Sequence, residues 1–484
     1  MPKNNDNKKI RVIVVGAGKA GQLIVEDILE SSSGFKVVGL VDDDPKKRDL
    51  KVKGVHVLGM ISDLRSVIKQ NDIEEIFIAI PSERGVIIRN IIEQTSGLKI
   101  GYKILPRMSE VLLQDFKEDY LKFIRRVRPE DLLGGEIKNT DQEGITKFAK
   151  NKTILITGAA GSIGSELSRQ IAAHGAKKVI LFDWWENGMF ALREQLLESH
   201  KGGNFEFIIG DIKDRSKLNQ VMKSFKPDTV FHAAAYKHVP LMEHNPAEAV
   251  KNNIFGTKTV AELSIKNHVK KFILVSTDKA VNPTNIMGAT KRAAEKVIHI
   301  LAESQSETKF CAVRFGNVIN SNGSVIPTFE RQIETGGPLT VTHKDITRFF
   351  MTIPEAVHLI LQTWIMGENN DLFVLDMGEP VKIYELAKLL IVLNGYEPDI
   401  DIKINISGLR PGEKLYEEVL VKEEETKSTS FKKIFRTQNY MSFDKLKFLN
   451  NFNLLIESLE EDGLNVEAIK DKLKVMVSTY SPKK

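Results

Sequence analysis

Three features of the sequence predict an α/β protein built on doubly wound parallel sheets. The stretch "IRVIVVGAGKAG" sets a β-branched strand against Gly16, Gly18 and Gly21. A second opening, "KTILITGAAGSIGSEL", repeats the device with Gly158, Gly161 and Gly164. After it, apolar strands alternate with helix-like stretches through "KVILFD", "FEFIIGD", "TVFHAAA", "KKFILVST" and "KFCAVRFGNV", which is the order of a parallel sheet covered by helices on both faces. A strand, a tight glycine turn and a helix make the opening of a Rossmann-type dinucleotide fold.

In chain order, the first unit is expected over residues 1–105. Its strand "FKVVGLVDDD" ends in Asp42, at the position of a ribose-binding acid, and "EEIFIAIPSERG" adds a further strand. No acid-base constellation accompanies it, so a bound nucleotide and a structural or regulatory role stay open for this unit. Residues 106–149, including "RRVRPEDLLGGEIKNTDQEG", have charges, a proline and paired glycines but no sustained period, and read as a linker. Residues 150–326 are expected to form the catalytic dinucleotide-binding domain. The pattern becomes mixed after about Pro327, so residues 327–484 are expected to form mainly a smaller substrate-binding lobe.

Length and composition agree with this division. The 484 residues are enough for two or three domains, and 42% hydrophobic with 27% charged residues is ordinary for globular chains. A net charge of +5 without a basic block argues against a nucleic-acid partner. Cys311 is the only cysteine, which excludes an internal disulfide, and its setting "KFCAVRF" reads as a strand carrying a packed thiol. The polar start "MPKNNDNKK" lacks a signal-peptide core, and no apolar run is long enough to span a bilayer. A cytoplasmic protein without a transmembrane segment is the expectation.

The second glycine turn is the stronger cofactor signal. Gly158, Gly161 and Gly164 let the backbone approach a pyrophosphate, and the helix starting near Ser162 and Ile163 offers it free N–H groups and a positive dipole end. Asp183 ends the next strand, 19 residues beyond Gly164, where a carboxylate can hold ribose hydroxyls. It would repel a 2'-phosphate, and Trp184 and Trp185 supply no cation, so NAD is expected rather than NADP. A helix N-cap is the alternative for Asp183. Asp211 and Ile212, at the end of the third strand, border the expected adenine site, although Asp211 is equally placed to cap the next helix. Ala233 and Ala234 complete the expected cofactor set.

Taken together, "ITGAAGSIGSEL", "FHAAAYKHVPLMEHNP", "NNIFGT", "LVSTDKAVNPTNIMGATKR", "VRFGNVINSNGSVIPTF", "TRFFMTIPEA" and "GLRPGEKLYEE" resemble, in family order from about residue 150 to 420, the extended short-chain dehydrogenase/reductase proteins. Within these the likeness is to the bacterial nucleotide-sugar 4,6-dehydratases of polysaccharide and glycan biosynthesis. The N-terminal unit and "RPEDLLG" resemble cytoplasmic segments of larger members anchored by a transmembrane bundle that is absent here, so a soluble form or a truncation is expected, with peripheral membrane association left open. "DLLGG" stands where an arginine often closes that motif. The family also implies a homo-oligomer.

The resemblance implies a reaction and assigns roles. C4 of a nucleotide-linked hexose is oxidised with NAD, which acidifies the C5 hydrogen. A base removes that hydrogen, an acid helps the C6 hydroxyl leave, and C6 is reduced. Thr277, Asp278 and Lys279 match the Thr-Asp-Glu group of the dTDP-glucose dehydratases, with lysine in place of glutamate. Asp278 is then the acid at C6 and Lys279 the base at C5, for which its proton affinity would have to be lowered. Lys291 would hold the nicotinamide ribose. One turn earlier, where most relatives have a proton-taking tyrosine, stands Met287, which cannot ionise. One branch of the dehydratases shares this methionine and retains configuration at C5. The expected path therefore has Thr277 placing O4 and Asp278, directly or through water, receiving its proton. On the substrate side, Asn317, Arg348 and Arg410 are expected at the diphosphate, and Lys237 at the sugar with Tyr236; His238 reads equally as a packed loop residue. The implied substrate is a UDP-sugar, UDP-N-acetylglucosamine first. A nucleotide-sugar 4-epimerase and a non-catalytic NAD and sugar-nucleotide sensor are the rival readings.

Overall fold

The computed structural model describes residues 9–31, 33–80, 85–106, 120–133, 141–419, 425–438, 443–461 and 466–482. The amino-terminal residues 1–8 and the glycine pair of "DLLGG" lie outside these. The chain clusters into two compact units, the first gathering residues 1–136, 324–344 and 382–407, the second residues 137–323, 345–381 and 408–484. The segment after residue 327 thus contributes to both.

The first unit carries a five-stranded sheet of β1 (Ile10–Val15), β2 (Phe35–Val41), β3 (Glu75–Ile78), β4 (Gly101–Ile104) and β5 (Arg125–Arg126), in the order β2-β1-β3-β4-β5. All neighbours are parallel except β4 and β5. The last strand arises in the stretch that reads as a linker; two residues are too few to show a period. Asp131 anchors it, accepting two hydrogen bonds from the Arg125 guanidinium at 2.6 and 2.9 Å.

The second unit holds a nine-stranded sheet. Its members are β6 (Thr153–Thr157), β7 (Lys178–Asp183), β8 (Phe205–Ile209), β9 (Thr229–His232), β10 (Lys271–Val275), β11 (Lys309–Arg314), β12 (Asp371–Leu375), β13 (Glu425–Ser428) and β14 (Ile434–Gln438), in the order β8-β7-β6-β9-β10-β11-β12-β14-β13. Pairing is parallel as far as β12 and antiparallel for the last two. Successive residues point to opposite faces, and both faces are apolar: Ile154, Ile156, Leu181, Phe231, Ile273 and Val313 enter one core, Leu155, Ile180, Phe182, Val230, Phe272 and Leu274 the other. That is why these strands read as continuous apolar runs, each buried side chain adding about 1.5–3 kcal/mol over an exposed one. Cys311 lies fully buried on β11, as expected of a packed thiol.

Strand order places the site. The chain lays β7 and β8 to one side of β6 and β9 to β12 on the other, so the order reverses between β6 and β9. Ligands in open α/β sheets bind beyond the carboxyl ends of the strands at such a switch point. Among the described residues, no helix is long and apolar enough to cross a membrane.

Candidate active site

The glycine turn after β6 is built by steric exclusion. Gly158 has φ +71°, and a Cβ there would lie 2.5 Å from the Ala234 nitrogen. At Gly164 a Cβ would fall 2.0 Å from the Gly158 carbonyl oxygen, so the helix α1 (Ser162–Ala173) packs directly on its own turn. The first unit's turn uses the same geometry, with Gly21 against the Gly16 carbonyl. Gly161 caps α1 without a side-chain bond, leaving the first helical N–H groups of Ser162 and Ile163 available. A Cβ at Gly158 or Gly164 would run into the Ala234 backbone or the Gly158 carbonyl and break the turn, whereas one at Gly161 would meet only the Gly158 carbonyl, at 3.2 Å, so the backbone at the start of α1 stays open to a dinucleotide pyrophosphate. Gly158→Ala is expected to destabilise the protein by roughly 1–3 kcal/mol and to reduce the dinucleotide that co-purifies, read by thermal unfolding and by nucleotide released on denaturation.

Asp183 is buried at the end of β7. Its carboxylate accepts from the backbone of Ala160 at 3.0 Å and of Trp185 at 2.9 Å, tying the glycine turn to the neighbouring strand. Burial pushes its proton affinity up, against the pull of these N–H donors. It does not cap the next helix, where Trp185 is the N-cap. Nor does Asp211 cap Arg215–Phe225: Asp214 does, while Asp211 accepts from the Lys213 backbone at 2.9 Å. Ile212 is buried close to Gly256. Ala233 and Ala234 follow β9 against Gly158, across the switch point.

The helix α2 (Ile286–Ser304) starts from an Asn285 cap, whose side chain accepts from the Gly288 N–H at 2.8 Å. It lies between two apolar clusters, which explains why charged residues on it are also buried. Met287 belongs to one cluster, with Met242, Ile254 and Ala293. Lys291 donates to the Val275 carbonyl at the end of β10 at 2.8 Å; burial lowers it to about 8, with Glu295 opposing. His232, closing β9, is held neutral between the Thr157 and Thr257 hydroxyls, at 2.7 and 2.9 Å, and burial with the Lys291 charge lowers it to about 3.

Thr277, Asp278 and Lys279 leave β10 together. Asp278 is fully buried; its Oδ1 accepts from the Thr277 hydroxyl at 2.9 Å and from Lys279 Nζ at 3.0 Å, and its Oδ2 has no hydrogen-bond partner among the described residues. Lys279 Nζ also donates to Asn317 Oδ1 at 3.0 Å and pairs with Glu417 Oε1 at 3.6 Å. Arg348 Nε lies 3.7 Å from the same Glu417 oxygen, and its Nη2 reaches Glu413 at 3.1 Å. The structure thus gathers Thr277, Lys279, Asn317 and Arg348 around two buried carboxylates, Asp278 and Glu417. Arg410 joins through its backbone, which donates to Glu413 Oε2 at 3.1 Å, while the residue itself is exposed. His238 packs against Gly323.

One electrostatic expectation is corrected. Burial does lower Lys279, but the charges of Asp278 and Glu417 outweigh it, and the net effect raises its hold on the proton. Desolvation, helped by the Lys279 charge, instead lowers the neighbouring Lys237. Asp278 is raised, by burial first and by Glu417 as well, with Lys279 opposing. A carboxylate with raised affinity can take a proton and pass it on.

Three residues with a part in the site escaped sequence reasoning. Glu417 sits in "GLRPGEKLYEE", where its burial had no local signal. Asn253, within the π-helical turn Lys251–Gly256, accepts from the Tyr236 N–H at 2.8 Å and donates to the Tyr236 carbonyl at 3.0 Å and Thr290 Oγ1 at 3.1 Å, joining the loop after β9 to α2. Glu295 binds Ser276, the residue before Thr277, whose hydroxyl donates to it at 2.6 Å.

The fold and this site define a dinucleotide-dependent α/β enzyme class, and comparison with known proteins places the chain within it. The polysaccharide biosynthesis protein family matches residues 154–439, and a CoA-binding domain matches residues 3–106. Capsular polysaccharide biosynthesis protein CapD of Staphylococcus aureus is 46% identical over 439 residues, 90% of this chain and 72% of CapD. A UDP-glucose 4-epimerase of Rickettsia canadensis (strain McKiel) is 35% identical over 341 residues, 67% of this chain and 95% of that protein. Among solved structures, Pen from Bacillus thuringiensis superposes with a TM-score of 0.55 at 34% identity, covering 62% of this chain and 90% of Pen. The chain belongs to the polysaccharide biosynthesis protein family of extended short-chain dehydrogenase/reductase proteins.

Proposed function

We propose that the protein dehydrates a UDP-sugar, UDP-N-acetylglucosamine first, to the 4-keto-6-deoxy sugar with retention at C5, using bound NAD, for polysaccharide or glycan biosynthesis. The observation that carries this reading is the buried Asp278 carboxyl bonded to Lys279, with its second oxygen unpartnered. An enzyme that only oxidises and re-reduces C4 has no use for an acid and a base side by side beyond the C4 hydroxyl.

NAD on the Gly158–Gly164 turn would supply reversible oxidation at C4 and reduction at C6. Asp183 orients the adenosine ribose, with Asp211, Ile212, Ala233 and Ala234 beside the base and pyrophosphate. Lys291, anchored on the Val275 carbonyl, holds the nicotinamide ribose. Thr277 places O4, and Asp278 receives its proton in place of the tyrosine that Met287 replaces. Asp278 then protonates the departing C6 hydroxyl. Lys279, once it has released its own proton, takes the one at C5 and delivers one of its solvent-exchangeable hydrogens to the same face. Asn317, Arg348, Arg410 and Lys237 hold the diphosphate and sugar.

Purified protein incubated with UDP-N-acetylglucosamine in D2O and followed by proton NMR tests this. A 4-keto-6-deoxy product with deuterium at C5 and gluco configuration there is the expected result. The likeness to a UDP-glucose 4-epimerase favours one second reading, C4 epimerisation, which would instead give an unlabelled C4 epimer without loss of water. Absence of any product, with NAD added, would overturn both for this sugar.

A further inference from the structure

We infer that Glu417 is a positioning residue for Lys279: it holds the ammonium in place and sets the pH range in which that lysine is free to remove a proton. The inference rests on the dehydratase reading and deepens it. Lys279 Nζ has three neighbours at donor distance or slightly beyond, Asp278 Oδ1 and Asn317 Oδ1 at 3.0 Å and Glu417 Oε1 at 3.6 Å. An ammonium has three N–H groups and no lone pair, so in this state, with two hydrogen bonds made and Glu417 paired by charge, it is unable to act as a base.

Glu417 is buried, its side chain 4% exposed, and its Oε2 has no hydrogen-bond partner among the described residues. A buried carboxylate that leaves one oxygen unsatisfied is costly unless charges compensate. Here the charges facing it are Lys279, Arg348 and Lys414, and they hold it ionised despite burial. The charged groups around Lys279 itself are Asp278, Glu417 and Arg348, with Lys237 close enough to feel its charge. Of its two anionic neighbours, Asp278 is neutralised when it takes the O4 proton. Glu417 is then the anion that still retains the Lys279 proton. That proton leaves to solvent, the lone pair stays on Nζ, and the amine becomes able to take the C5 proton.

The test is Glu417→Gln beside Glu417→Asp in the full-length protein. Without the carboxylate, Lys279 should lose its proton at lower pH by roughly one to three pH units. Two readouts should move together. The acidic limb of kcat for the dehydration shifts to lower pH by that amount, and competitive acetylation of Lys279 with acetic anhydride, mapped by mass spectrometry, shows the same displacement without any turnover. Glu417→Asp keeps the charge and should leave both midpoints near the wild-type values. An equal loss of kcat at every pH with an unmoved acetylation midpoint would overturn the inference, because that is what a merely structural role produces. If the wild-type protein made no 4-keto-6-deoxy product, the functional reading would fail, and the acetylation midpoints would still decide whether Glu417 controls Lys279. Should Glu417→Gln fail to fold, Arg348→Met, which removes a cation from the same group, should raise the acetylation midpoint; an unchanged midpoint would count against the inference.

Discussion

Asp278→Asn is expected to reduce turnover by a factor of roughly 10² to 10⁴ while leaving the fold and the bound dinucleotide in place. Asparagine has the same shape and fills the same buried volume. It can still accept from Thr277 and Lys279, which hold Asp278 at 2.9 and 3.0 Å. What it cannot do is take up the O4 proton or give one to the C6 hydroxyl. The tyrosine that would share this duty is absent, and Met287 is packed with apolar neighbours, so no second acid-base group stands at that slot to soften the loss. Proton NMR of the product gives the rate, and a thermal melt with nucleotide release shows that the protein is otherwise intact. Near-normal turnover would mean that the O4 proton takes a route that bypasses Asp278.

The contrast between Asp278 and Glu417 shows what the sequence could and could not reveal. Strand and turn positions were legible because burial on both faces writes itself into continuous apolar runs, and because the Gly158 and Gly164 geometry admits no other residue without strain. Thr277, Asp278 and Lys279 were legible because they follow one of those runs and because the stretch around them resembles the dehydratases' Thr-Asp-Glu group. Asn317, after β11, and Glu417, far along the chain, meet Lys279 only in three dimensions, and nothing local distinguishes Glu417 from the acidic residues beside it. The charge state of Lys279 was misjudged for the same reason. Desolvation is inferable from a strand end and the first opposing charge, Asp278, stands next to Lys279 in sequence, but the field that Glu417 adds to it comes from far along the chain. The strand Arg125–Arg126 was missed on different grounds, since it owes its place to Asp131 and to pairing with β4 rather than to any pattern of its own.

Arg314→Met is expected to destabilise the protein by about 3–5 kcal/mol, the cost of leaving a buried charge without its partner, seen as a lower denaturant midpoint at unchanged slope. Glu295 is fully buried and its carboxylate accepts from Arg314 Nε at 2.8 Å and Nη2 at 2.7 Å, from Arg292 at 3.1 Å and from the Ser276 hydroxyl at 2.6 Å. Burial alone would raise its proton affinity, but Arg314 foremost and Arg292 with it bring it down to about 2 from an ordinary 4.5. The sign follows: the folded state binds this proton less readily than the unfolded chain, so the stabilisation is complete above about 4.5 and is lost as pH falls through about 2. It amounts to about 3 kcal/mol, and Arg314→Met should abolish most of this acid dependence. Adding Glu295→Leu to Arg314→Met should recover only part of the stability, since the apolar pair avoids its own desolvation cost but takes the carboxylate away from the buried Arg292 and from Ser276. It should not recover turnover. Glu295 sits one helical turn beyond Lys291 and holds Ser276, so it joins the α2 lysine to the strand end that presents Thr277, Asp278 and Lys279. A double variant that melted like the wild type and turned over as fast would show that this buried ion network serves stability alone.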